Sequence, residues 1–193
     1  MQTYKRPRIV LREGKGATVK DFFGREYIDC VGGIAVNAIG YCHPAVVNAI
    51  KEQAGKLMHT SNLYYTEPQV ELAEKLSGIT GMDKFFFCNS GTESIEAALM
   101  LACKVTVKRK SIATEGSFHG RTLGSLRLTF GTTLRGVFDP LLLDGVEFVP
   151  YNDAGAIRDA IDTNTAAVIL EPIQGETGVI IPSEGYLREV REI

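Results

Sequence analysis

The sequence predicts an α/β fold in which a mostly parallel sheet is flanked by helices. From Gly81 onward, short apolar segments alternate with helical ones. Strands are expected at Phe85–Cys88, Ser111–Thr114, Val146–Val149 and Ala166–Leu170, with helices at about Glu93–Lys104, Leu123–Leu128, Ala154–Ile161 and Glu184–Ile193. The apolar segments lack strict polar alternation, which marks strands covered on both faces. The composition, 45% hydrophobic and 23% charged, is that of a globular protein, and the 193 residues fit one domain with a sizeable core or one large domain plus a small appendage.

The N-terminal part reads differently. Ala17–Asp21 and Glu26–Cys30 flank a turn containing Gly24, which predicts a small hairpin. Gly32, Gly33 and Gly40 carry an irregular stretch. Pro44 then stands at the first position of a helix whose apolar stripe is Val46, Val47, Ile50, Ala54 and Leu57. A second helix is expected from about Glu67, with Pro68 near its start, to Leu76. The last helix is still amphipathic at Ile193, without a cap, glycine or proline to stop it, so the domain is expected to be incomplete there.

Charge and cysteine usage exclude several function classes. The net charge of −2 offers no nucleic-acid footprint and no polybasic membrane anchor. Lys104, Lys108, Arg109 and Lys110 read as the solvated end of a helix, where cations suit the dipole. Cys30, Cys42, Cys88 and Cys103 show neither Cys-x-x-Cys nor zinc-ligand spacing, and read as free thiols of a cytoplasmic protein. Met1–Arg8 is polar, without the apolar core of an export signal, and no apolar run is long enough to span a membrane.

Sheets of this kind bind ligands beyond the carboxyl ends of their strands, so the residues after each strand are the candidates. After the first come Asn89-Ser90-Gly91-Thr92, opening a helix. Its first N–H groups have no intrahelical acceptor and its dipole favours an anion, so a phosphate suits this place. Ser90 with Glu93 is also an ordinary capping box, and taken alone the plain cap outweighs the phosphate site.

After the second strand comes Glu115 to Thr122, with Phe118, His119 and Arg121 among glycines. Phe118 suits stacking on a heteroaromatic ring, and Arg121 offers a planar fork for a carboxylate. Singly, core packing for Phe118, a surface ion pair for Arg121 and a structural hydrogen bond for His119 are the simpler readings. After the fourth strand come Glu171 to Glu176. A glycosidase-like carboxylate pair is disfavoured there by Pro172 and Gly175, and a strand-end Glu171 partnering an arginine is simpler. His43 reads as closing the loop before a helix, and Tyr64-Tyr65 as packing or interface residues rather than catalysts.

In combination, Phe-Cys-Asn-Ser-Gly-Thr-Glu (87–93), Gly-Ser-Phe-His-Gly-Arg-Thr (116–122) and Glu-Pro-Ile-Gln-Gly-Glu (171–176) resemble the class III aminotransferases that use pyridoxal phosphate. Thr60 to Gln69 and Gly32 to Asn37 look most like the acetylornithine branch. The resemblance implies the large domain of the aminotransferase type I fold over residues 44–193, preceded over 1–43 by an N-terminal segment with small-domain strands. It implies that Ser90, Gly91 and Thr92 hold the cofactor phosphate, that Phe118 stacks on the pyridine ring, and that Arg121 binds the substrate carboxylate. Glu176 matches a family glutamate that pairs with a later arginine, and Gly33 stands where ornithine aminotransferases carry a tyrosine. Departures are Tyr41 where many members have His, Ser94-Ile95 for Ala-Asn, and Thr177 for Gly.

The chemistry implied is transfer of an amino group between N-acetylornithine and 2-oxoglutarate, giving glutamate, in arginine biosynthesis, by a homodimer without metal. It needs a lysine anchor for the cofactor aldehyde and an acidic partner for the pyridinium nitrogen. No lysine follows an expected strand, since Lys84 and Lys110 precede theirs, and the family places both residues later than Ile193. The chain alone is therefore expected to be inactive, without a catalytic residue of its own, and poorly soluble. Alternatives are another class III member (ornithine, aminoadipate-semialdehyde or 4-aminobutyrate aminotransferase, or glutamate-semialdehyde aminomutase) or a non-catalytic phosphate-binding module.

Overall fold

Gly16 and Gly24 turn the chain twice within its first strands, each with the left-handed φ that glycine adopts without a steric penalty, 57° and 81°. They join β1 (Leu11–Lys15), β2 (Thr18–Asp21) and β3 (Glu26–Ile28) into an antiparallel sheet in the order β1-β2-β3. The computed structural model describes residues 4–193, so the first three residues of the polar start lie outside it. The predicted hairpin is β2–β3, and β1 adds a third strand on the other edge of β2. Asp21, 3% exposed, holds the β2–β3 turn. Its carboxylate accepts the N–H groups of Phe23 and Arg25, Arg25 Nε and the Tyr27 hydroxyl. Burial alone would raise the pKa of that carboxyl, but these donors outweigh it and hold the group below its ordinary value.

The glycine-rich stretch closes back on this sheet. Gly16 and Tyr41 exchange backbone hydrogen bonds of 3.0 and 2.8 Å, and the Tyr41 hydroxyl donates to Asp29 at 2.6 Å. The Tyr41 ring lies where a Cβ on Gly14 would stand. Between these ties, Gly32, Gly33, Ile34 and Ala35 all have φ between 58° and 65°. For Ile34 and Ala35 the left-handed region costs roughly 1–2 kcal/mol each.

Helices α1 (Pro44–Lys56) and α2 (Glu67–Thr80) follow, each with proline in its first turn and joined through a short 3₁₀ turn at Ser61–Leu63. The first starts where predicted, directly after His43. The second runs one turn beyond Leu76 and stops at Gly81, whose φ of 70° and N–H to the Ser77 carbonyl form a left-handed cap. Neither helix has a fully buried residue. Residues through Gly81 form one compact unit and those from Met82 a second.

In the second unit, α3 (Gly91–Thr106) leads to β4 (Lys110–Thr114), and α4 (Leu123–Arg127), α5 (Thr132–Arg135) and a 3₁₀ turn at Asp139–Leu141 lead to β5 (Val146–Val149). Then come α6 (Ala154–Ala160), β6 (Thr165–Val168) and α7 (Tyr186–Glu192). The sheet order is β5-β4-β6, parallel throughout. Successive residues of the central strand point to opposite faces. Ile112 packs with Val149, Ile157 and Tyr186 on the α6–α7 side, while Ala113 packs with Leu99 and Leu128 on the α3–α4 side. Both are 0% exposed. Helices on both faces of a parallel sheet are what the apolar, non-alternating segments predicted.

Two expectations are corrected. Phe85–Cys88 is not a strand, for β5 and β6 flank β4 and none of the three pairs with it, and Phe86 is 71% exposed. Lys110 does not belong to a solvated helix end, because α3 stops at Thr106 and Lys110 opens β4. Its ammonium donates to Asp162 at 2.8 Å and to the Ala160 carbonyl at 2.6 Å, and lies 2.7 Å from Glu147. The hydrogen bonds to Asp162 and Glu147 raise its pKa above the ordinary lysine value.

Candidate functional site

Three chain segments meet beyond the carboxyl end of the parallel sheet, and each is shaped by where its strand stops. After β4, Gly116 turns the chain with φ 76°. The Ser117 hydroxyl then donates to the Leu128 carbonyl at 2.8 Å, and the His119 N–H donates to Thr129 Oγ1 at 3.0 Å. These bonds fasten the loop to the end of α4 and leave Phe118 half-buried between them. After β6, Glu171 turns back towards that loop, and its Oε2 accepts the Phe118 N–H at 2.9 Å. The partner displayed is thus a backbone amide, where the sequence suggested an arginine. Tyr151, just after β5, donates its hydroxyl to the Glu171 and Pro172 carbonyls at 3.1 and 3.2 Å.

Gln174 ties the two strand exits together. It is 1% exposed, and its Nε2 donates to Thr114 Oγ1 at 3.2 Å and to the Glu115 carbonyl at 2.7 Å. A Cβ on Gly116 would stand 3.0 Å from Gln174 Oε1, so glycine there permits the close approach. Glu176, in the same segment, is exposed.

The start of α3 supplies the anion-binding end. Ser90 is its N-cap, accepting the Glu93 N–H at 3.3 Å, while Glu93 Oε2 accepts the Asn89 N–H at 2.6 Å. The predicted capping pair is present, with the glutamate reaching one residue further back than in the usual box. Gly91 and Thr92 occupy the first two helical positions, where the helix provides no acceptor for their N–H groups. A Cβ built on Gly91 meets nothing within 4 Å, so the approach to these amides is open. Two open amides at the positive end of a sixteen-residue helix fit a phosphate group.

Arg121 lies with its guanidinium carbon 5.8 Å from the Phe118 ring centroid, so the two side chains proposed for carboxylate and ring binding are neighbours. His119 is 7% exposed, and its Nε2 is buried without a hydrogen-bond partner. Burial lowers its pKa below the ordinary imidazole value. The Thr92 hydroxyl is engaged within the protein, 2.9 Å from Thr122 Oγ1 and 2.5 Å from Ser125 Oγ. The structure therefore brings Phe118, Arg121 and Glu171 together, and separately links Thr92 to Thr122 and Ser125. Sequence reasoning passed over Glu96, whose carboxylate reaches α4. A glutamate one turn into an amphipathic helix carries no sign of this, except that Gly120 and Gly124 on the facing segment lack side chains.

A family model described as Aminotransferase class-III matches residues 1–193. The chain belongs to the class III aminotransferases. This agrees with the resemblance carried by segments 87–93, 116–122 and 171–176. Members of this family use pyridoxal phosphate. Among curated relatives, acetylornithine aminotransferase of Methanosarcina acetivorans is 61% identical over 193 residues, which is 100% of this chain and 49% of that protein. That of Mycolicibacterium smegmatis is 51% identical over 194 residues, again 100% of this chain and 49% of the relative.

Among solved structures, ornithine aminotransferase from Toxoplasma gondii superposes with TM-score 0.92 at 33% identity, covering 100% of this chain and 47% of that one. A second structure of that enzyme has partial occupancy of PLP at its active site (TM-score 0.91, 32% identity, 100% and 47% coverage). N-acetylornithine aminotransferase from Stenotrophomonas maltophilia has TM-score 0.79 at 38% identity, covering 98% of this chain and 48% of that one. The chain thus spans about half the length of the relatives it matches.

Proposed function

We propose that the protein containing this chain transfers an amino group between N-acetylornithine and 2-oxoglutarate with pyridoxal phosphate, in arginine biosynthesis. The observation that carries this reading is the open N-terminus of α3, in the same compact unit as the Phe118–Arg121 pair held by Glu171. Pyridoxal phosphate, when bound, supplies an electron sink for the carbon that gives up its amino group. The donor carbon then ends as an aldehyde, and 2-oxoglutarate ends as glutamate.

The residues of this chain would serve binding and orientation. The N–H groups of Gly91 and Thr92 would hold the phosphate, with the Ser90 hydroxyl beside them. Phe118 would lie against the pyridine ring, its backbone fixed by the Glu171 carboxylate. Arg121 would take the substrate carboxylate with its planar fork. The lysine anchor would come from outside residues 1–193, in keeping with the 49% of the Methanosarcina relative that the chain spans.

Gly33 supports the acetylated donor. It stands where ornithine aminotransferases carry a tyrosine, and its φ of 65° is a backbone conformation that a side chain would strain. A homodimer is supported by exposed apolar side chains on α3, among them Met100, Leu101 and Val105, which are costly to leave in water. A cytoplasmic setting is supported by the four free cysteines. Among the described residues, no helix is long and apolar enough to cross a membrane.

The test is turnover by the polypeptide of the whole reading frame that contains this chain. With pyridoxal phosphate and 2-oxoglutarate, N-acetylornithine is expected to be the preferred donor over ornithine and 4-aminobutyrate. Preference for either of the others reassigns the branch, and binding of pyridoxal phosphate without any turnover favours a non-catalytic role.

A further inference from the structure

We propose that Glu96 is a positioning residue that sets the Arg121 loop against the phosphate-binding end of α3. The proposal rests on the aminotransferase reading of the site, and it starts from an unmet need of α4. That helix is five residues long and begins directly after Arg121-Thr122. A reciprocal capping box between Thr122 and Ser125 serves the Thr122 and Ser125 N–H groups, and the Gly124 N–H is left without an acceptor on its own segment. Glu96 Oε1 receives the Gly124 N–H at 2.8 Å, the Ser125 N–H at 3.1 Å and the Thr122 hydroxyl at 2.5 Å. One carboxylate oxygen on α3 thereby caps a helix on another segment. A negative charge is well placed at that end of the α4 dipole.

A second set of bonds lies one turn earlier on α3. Thr92 Oγ1 is 2.9 Å from Thr122 Oγ1 and 2.5 Å from Ser125 Oγ. Thr92 and Glu96 are four residues apart, so they lie on one face of α3 and grip the same two residues of the facing segment. Two glycines make room for this. A Cβ on Gly124 would clash with the Glu96 carboxylate, and one on Gly120 would clash with Thr92 and Ser125. Gly120 also holds φ 132°, which a side chain would strain. Arg121 sits between Gly120 and the clamped Thr122, so its backbone has little freedom to move relative to the Gly91 and Thr92 amides. The clamp thus sets the spacing between the group that takes the substrate carboxylate and the group that takes the cofactor phosphate.

The experiment uses the polypeptide of the whole reading frame, as wild type, E96Q, E96A and G124A. Amide hydrogen exchange of residues 118–125 is read without ligand, and KM for the amino donor together with Kd for pyridoxal phosphate are read separately. Glutamine keeps an acceptor oxygen, so E96Q is expected to stay within about threefold of wild type in all three measurements. E96A is expected to speed exchange at Gly124 and Ser125 about tenfold or more, leaving the β4 amides protected. It is also expected to raise KM about tenfold with a smaller effect on Kd, because the displaced residue is Arg121 rather than the start of α3. G124A should loosen the same amides with Glu96 intact, which decides the matter if E96A does not fold. Unchanged exchange in both E96A and G124A overturns the clamp. Loosened exchange with unchanged KM overturns the positioning role. Absence of turnover in wild type sinks the functional reading instead, and the exchange measurements still decide the clamp.

Discussion

Glu171 and Phe118 are joined by a charged hydrogen bond of 2.9 Å between a carboxylate on the β6 exit and a backbone N–H on the β4 exit. The bond spans two loops that Gln174 also ties together, and it holds the residue proposed to stack on the cofactor. A hydrogen bond to a charged group contributes about 1.5–3 kcal/mol. Glu171→Ala is therefore expected to weaken pyridoxal phosphate binding by about tenfold or more, and Glu171→Gln by less, since an acceptor remains. Fluorescence titration with pyridoxal phosphate measures both.

Gly91 separates ligand binding from stability. Nothing lies within 4 Å of a Cβ placed there, so Gly91→Ala should leave the unfolding midpoint nearly unchanged. The added methyl group would stand in front of the amides offered to the phosphate, and affinity is expected to fall by about tenfold or more. Gly120→Ala should behave oppositely, losing stability through its clash with Thr92 and Ser125. Paired thermal melts and titrations of the two variants would expose equal losses if this distinction were mistaken.

Ile112, 0% exposed on the central strand, supports one of the two cores. Ile112→Ala is expected to cost about 2–5 kcal/mol, and urea denaturation gives the value directly.

His119 predicts a pH dependence. Burial holds its folded pKa below the ordinary 6.5. As pH falls through that value the unfolded chain takes up a proton that the folded chain still refuses. The stability contribution is therefore full above about pH 6.5, declines as pH drops below it, and levels off once the folded imidazole also protonates. In His119→Gln this part of the decline should vanish when unfolding midpoints are compared between about pH 7.5 and about pH 5. An identical decline in both proteins would assign it to other groups.

Borohydride treatment of the 193-residue chain with pyridoxal phosphate should label no single lysine stoichiometrically. Lys110 is held by Asp162 and Glu147 at the opening of β4, the end of the sheet away from the loops that carry Phe118 and Glu171. Peptide mass mapping after reduction would reveal a labelled site.

Much of the scaffold was legible because its signals are local. Pro44 at the head of α1, the Ser90–Glu93 cap of α3 and the whole of β5 at Val146–Val149 depend on neighbours within one turn or one strand. Phe85–Cys88 was misread because an apolar run shows β propensity but carries no record of whether a pairing partner exists. Lys110 was misread for a related reason, since its ion partners lie far along the chain at Glu147 and Asp162. In the candidate site, Ser90, Gly91, Thr92, Phe118 and Arg121 stood out by chemical type. The pairings that hold them did not, and Glu171, singled out as a strand-end glutamate, was given an arginine where the structure has the Phe118 amide. Glu96 with Gly124, Gln174 with Thr114, and Glu171 with Phe118 are all long-range pairs, for which one sequence offers no local pattern.

The central place of β4 bears on how the chain is made. Both of its neighbours, β5 and β6, follow it in the sequence, so during synthesis β4 leaves the ribosome with two open edges. It must wait for strands that arrive from one direction only, and Ile112 and Ala113 cannot both be covered until α6 has followed. Until then an apolar strand with unpaired edges is exposed to other nascent chains.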